Sequence, residues 1–93
     1  MFKGETNRLD LDCGIAYARI AAWLDDELAL SREDGCWLFR DDLQTCRVSL
    51  EPLESRTFRR VSIERTRLVA EGDAGALESF EKLFTLRFIS AGG

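Results

Sequence analysis

The spacing of apolar residues changes along the chain, and each change predicts an element. Leu9 and Leu11 alternate with Arg8, Asp10 and Asp12, the period of two expected of a short half-buried strand. Asp12 is then placed to cap a helix by accepting from backbone N–H groups two or three residues on. Through CGIAYARIAAWLDDELAL, the residues Tyr17, Ile20, Ala21, Leu24 and Leu28 recur at three- and four-residue spacing, which puts them on one helical face. Such a helix would run ~27 Å at about 1.5 Å per residue, enough to lie across a small sheet. It is expected to end near Ser31, where REDG supplies a turn with Gly35.

From Cys36 the period returns to two. CWLFR predicts a strand, DDLQ a turn, and TCRVSLEPL a second strand with Cys46, Val48 and Leu50 on one face. Pro52 has no N–H and fits an edge or a strand end. ESR predicts the next turn, and TFRRVSIERTRLVAEG is long enough for one extended strand of about 14 residues. Its alternation breaks, because Val61 and Ile63 share a parity that Leu68 and Ala70 do not. A one-residue slip between Glu64 and Thr66 would bring all four to the core, so a bulge is expected there. A hairpin inside this segment is the rival, opposed by the lack of turn residues in IERTR.

Asp73 then caps a second helix with Ala76, Leu77, Phe80, Leu83, Phe84 and Phe88 on its apolar face. No Gly, Pro, Asn or Asp lies between Phe84 and Ala91, so TLRFIS is expected to continue the helix as far as Gly92. Arg87 would fall within the apolar stripe and need a carboxylate and the terminal carbonyls to hold it. An extended TLRFIS is the alternative.

The resulting order is β-α-β-β-β-α: one α+β domain over residues 1–93, with a four-stranded antiparallel sheet and both helices packed on one face. This order resembles the half-unit topology of TATA-binding-protein-like and helix-grip folds. The resemblance concerns element order and implies no activity.

Composition sharpens the picture. Of 93 residues, 45% are hydrophobic and 10% aromatic, which suits one packed core. No apolar run approaches the ~18 residues that cross a bilayer, and MFKGETNRLD lacks the apolar segment of a secretory signal. Cys13, Cys36 and Cys46 are odd in number and form no C-x-x-C pair, which favours a reducing compartment. A cytoplasmic protein is expected. The net charge of −4 gives no general attraction to nucleic acid or anionic lipid. Its distribution is uneven: from Arg56 to Arg67 five arginines face Glu64 alone, while carboxylates gather in WLDDEL, SREDG and FRDDL.

The chain has no histidine, which removes the commonest base near neutral pH, the usual Ser-His and Cys-His systems and the commonest metal ligand. Three scattered cysteines match no zinc spacing, and the carboxylate clusters lack the alternation around a glycine of a calcium loop. Cys13 falls in the first helical turn, but Asp12 opposes thiolate formation there. EGDAG follows a strand and opens a helix, yet it lacks the lysine and glycine spacing of a phosphate loop. No catalytic residue, cofactor or metal is expected, and the reading leans away from an enzyme.

A binding surface is expected on the uncovered sheet face. Arg47 and Ser49 point there, as do Phe58, Arg60 and Ser62, and either Trp37 or Phe39 joins the side that Cys36 and Leu38 do not take. Trp37, Arg47, Phe58 and Arg60 are the candidate partner-binding residues of a protein-interaction module that self-associates through this face. Arginine beside aromatics on an open sheet also resembles how single-stranded RNA is bound, which makes weak nucleic-acid binding an alternative. Gly92 and Gly93 at the end resemble the tail of ubiquitin-like sulfur carriers and modifiers. That resemblance implies a tail adenylated by an activating enzyme.

Overall fold

The computed structural model describes residues 7–89. Five strands form one antiparallel sheet in the order β1-β5-β4-β3-β2: β1 (Asn7–Cys13), β2 (Ser31–Glu33), β3 (Cys36–Asp41), β4 (Gln44–Phe58) and β5 (Val61–Gly72). Helix α1 (Tyr17–Ala22) follows β1, and α2 (Ala74–Phe84) follows β5. The expected antiparallel α+β sheet with two helices is present, but it has five strands rather than four.

The additional strand is β2, in a stretch expected to end the first helix. Asp34 and Gly35 both take positive φ, 53° and 79°. That pairing suits a two-residue hairpin turn, and it lets Glu33 face Cys36. Helix α1 therefore stops early. It continues through a π-helical segment, Trp23–Glu27, in which the Leu28 N–H reaches the Trp23 carbonyl at 2.9 Å, and Ala29 at φ 52° turns the chain away. Asp12 does not cap it. The N-cap position belongs to Ala16, and the Asp12 carboxylate is held by Arg65.

The long segment after Pro52 also differs from expectation. ESR is not a turn: β4 runs through it, and the chain reverses at Arg59 and Arg60 between Phe58 and Val61. Arg59 takes the left-handed φ of 59° that lets this two-residue loop close. The expected bulge exists but lies in the opposite strand. Leu53 faces Arg65 and Arg56 faces Ile63, so Glu54 and Ser55 together oppose Glu64. Because β5 keeps its alternation, Val61 and Ile63 stay on the side away from Leu68 and Ala70, and the expectation that all four meet in the core fails.

The core lies between one sheet face and the two helices. Trp37 and Phe39 from β3, Cys46 and Val48 from β4, Leu68 and Ala70 from β5 meet Ile20, Trp23, Leu24, Ala76, Leu77, Phe80 and Phe84. Trp23 is the aromatic hub, with ring centroids 5.7, 5.8 and 5.3 Å from Phe80, Phe84 and Phe88. The second helix continues past Phe84 as expected, through a π-helical segment Thr85–Ile89; Ser90 lies outside the described residues. The wider i→i+5 turn rotates Arg87 out of the apolar stripe, and its guanidinium reaches the Glu27 carboxylate at 3.2 Å.

Candidate functional site: the uncovered sheet face and its hairpin arm

The register places each side chain. Leu9, Leu11 and Cys13 stand opposite Ala70, Leu68 and Thr66, on the face the helices cover. Arg8, Asp10 and Asp12 in β1, with Arg65, Arg67, Val69 and Glu71 in β5, must then face the other way. From β4 come Arg47, Ser49, Glu51 and Leu53, and from β3 Cys36, Leu38 and Arg40.

The central part of this open face is a neutralised charge grid. Arg67 makes a two-pronged contact with Asp10 at 3.0 and 2.7 Å and lies 3.8 Å from Glu51. Arg65 holds Asp12 at 3.3 and 2.5 Å and also donates to the Glu54 carbonyl. Arg8 reaches Glu71 at 2.7 Å. Hydrogen bonds from Arg67 and Arg65 hold the Asp10 and Asp12 carboxyls below their usual range. Arginines already committed to carboxylates across strands have less to offer a nucleic-acid phosphate.

The outer end of the face has a different character. β3 pairs with β4 only as far as Val48, and β1 pairs with β5 only as far as Thr66. Beyond these points β4 and β5 have only each other, and they run on as a two-stranded arm ending at Arg59 and Arg60. The molecule measures 52 × 27 × 24 Å in consequence. On the arm, Phe58 faces Val61 and Arg56 faces Ile63, all on the open side. Phe58 is 67% exposed, Val61 57% and Ile63 44%. Arg59 lies over the Phe58 ring at 5.5 Å. Asp12, Gly14, Arg56, Ile63 and Arg65 line a shallow groove where the arm meets the body.

The four residues singled out in the sequence separate into three environments. Trp37 is corrected: it is 1% exposed and lies in the core, on the helix-covered face. Its Nε1 donates to Asp25 at 2.7 Å and Arg32 covers its ring at 4.2 Å. Trp37 and Phe39 share a parity, and the covered side took both, leaving Cys36 and Leu38 outside. Arg47 is exposed on the open face, 3.9 Å from Glu33. Phe58 and Arg60 sit together at the end of the arm, roughly 35 Å along the strand from Arg47. Ser62, expected on the open face, stands with Thr57 on the opposite side of the arm. Val61 and Ile63 were missed as surface residues, although their parity mismatch with Leu68 and Ala70 was the signal.

All three cysteines are free thiols, and the two buried ones, Cys13 and Cys46, are in poor surroundings for reaction. Burial, then the charge of Asp12, pushes Cys13 up, and burial, then Asp73, pushes Cys46 up to about 11. Asp73 stands at the head of α2 as expected, but its carboxylate accepts from the Thr45 N–H at 2.9 Å rather than from the helix. Among the described residues no group of three or more Cys, Asp or Glu side chains is placed to hold a metal ion, and no helix is long and apolar enough to cross a membrane. Gly92 and Gly93 lie outside the described residues. No protein-family model, no curated protein and no solved structure matches the chain.

Proposed function

We propose that this chain is a non-catalytic protein-interaction domain of the cytoplasm, whose contact surface is the open side of the β4–β5 arm. The observation that carries the reading is the cluster of Phe58, Val61 and Ile63, exposed together at the end of a ribbon that packs under neither helix. The cluster presents roughly 300 Å² of apolar surface, the scale at which a patch on a monomer is commonly functional. Removing that area from water is worth about 7 kcal/mol before the cost of association. A protein partner is favoured over nucleic acid because the arm is apolar first, and because the rest of the molecule is strongly acidic. The three arginines of residues 56–63 carry +3 of a net −4, which leaves −7 elsewhere.

A photoreactive residue at position 58 tests this in native extract. Crosslinks to protein from position 58, and none from position 57 on the opposite side of the arm, are the expected result. Equal labelling from both positions, or none from either, would remove the reading.

A further inference from the structure

Resting on that reading of the arm, we infer that its partner is a second copy of this chain, each arm docking on the outer face of the other copy's α2. The arm cannot serve its own helix. Its apolar side chains stand on the open side of the sheet, and α2 packs on the other side. Two arms meeting tip to tip would set Arg56, Arg59 and Arg60 against their own kind. Strand addition along the outer edge of β4 is blocked by Pro52, which offers no N–H, and by the bulge at Glu54 and Ser55.

The outer face of α2 supplies what the arm lacks. Glu78, Glu81, Lys82, Thr85 and Leu86 line a shallow, mainly apolar depression there. Leu86 is 66% exposed, and the two carboxylates outnumber the single ammonium. The end of the arm, residues 56–63, carries three apolar side chains and three arginines and therefore matches it in both respects. A two-fold axis makes the contact twice, arm on helix and helix on arm. Two contacts, each hiding roughly 300 Å² on the arm, remove about 600 Å² of arm surface from water before the helix faces are counted.

Sedimentation velocity on the full chain and four variants tests the pairing, with far-UV circular dichroism checking that each variant is folded. Wild type is expected to dimerise with rising concentration, and Phe58→Asp to raise the dissociation constant at least about 30-fold. The double reversal R59E/R60E is expected to be monomeric, as is E78R/E81R. An equimolar mixture of those two re-forms dimers, because each arm then meets a helix of opposite sign. The chain carrying all four reversals dimerises with itself. A dimer insensitive to the arm variants, or no recovery on mixing, would overturn the inference. A wild-type monomer at high micromolar concentration would overturn it too; if position 58 still crosslinks to another protein in extract, the arm remains a binding surface and only the second copy is excluded.

Discussion

Gly72→Ala is the substitution for which the fold makes the sharpest demand. Gly72 ends β5 at φ 151°, a backbone region that side chains rarely enter, and it pairs with Cys46. A Cβ there would lie 2.5 Å from the Thr45 carbonyl oxygen and 2.6 Å from the Cys46 Cα. Both are backbone atoms of β4, so no side chain can swing aside and the strands must separate. The separation falls where the Asp73 N–H bonds the Thr45 carbonyl at 2.9 Å and the Thr45 N–H bonds the Asp73 carboxylate at 2.9 Å. Losing two hydrogen bonds at about 1 kcal/mol each, with a further 1–3 kcal/mol of backbone strain, gives roughly 3–5 kcal/mol. For a domain of this size that lowers Tm by something on the order of 12–30 °C. Gly35→Ala is the control, because Gly35 also has positive φ, 79°, but a Cβ there meets nothing within 4 Å. It bears the strain alone, about 1 kcal/mol. Thermal and urea unfolding of the two variants side by side separates strain from collision. Equal losses in both would refute the argument that close approach of β4 to β5 is what requires glycine at 72.

Four further outcomes are expected. Thr66→Val removes the buried hydroxyl that donates to the Ile15 carbonyl at 2.7 Å, at nearly constant volume; urea titration should show about 1–3 kcal/mol lost, with Thr66→Ser losing less. Phe80→Ala empties the centre of the aromatic cluster and should cost about 3–5 kcal/mol, a large share of the roughly 5–14 kcal/mol available to 93 residues. Asp10 and Asp12 titrate lower in the folded chain than in the unfolded one, so their contribution is full above the ordinary carboxylate pKa and disappears as pH falls through the folded values; unfolding midpoints should drop below pH ~4, and less so in an Asp10→Asn, Asp12→Asn variant. Cys46 behaves in the reverse sense: its thiol ionises first in the unfolded chain, so stability should fall between pH ~9 and ~11 by up to about 1.4 kcal/mol per pH unit, with a shallower slope in Cys46→Ala.

Those parts of the fold set by a regular period could be read from the sequence. The alternation in β1 and the first half of β4, the apolar run of β3, and the three- and four-residue spacing of Ile20, Leu24, Phe80 and Phe84 carried the antiparallel sheet and both helices. The turns were harder, for chemical reasons. Asp34-Gly35 is a strong hairpin signal, but Ser31–Glu33 beside it is wholly exposed and shows no alternation to mark a strand. Arg59 and Arg60 are poor turn residues, and the position needs left-handed φ at an arginine, which local propensity argues against. ESR has turn composition and became a bulge. At the candidate site the arm residues Phe58 and Arg60 were legible. Trp37 was not, because a half-strand such as CWLF is apolar on both faces and its sidedness depends on which neighbour the helices cover.

The same parity mismatch decides what the arm is for. Had the bulge fallen in β5, Val61 and Ile63 would have turned towards the covered face, and the ribbon's other side would have been polar. Placed in β4 at Glu54 and Ser55, it turns Arg56 and Phe58 to the same side as Ile63 and Val61. A two-stranded ribbon is marginal in water on its own, and this one keeps its largest apolar side chains where they cannot stabilise the core. Substituting them should therefore leave the unfolding free energy nearly unchanged while altering association. If Phe58→Asp instead lowered stability as Phe80→Ala does, the cluster would belong to the folding core after all, and the binding role assigned to the arm would lose its physical basis.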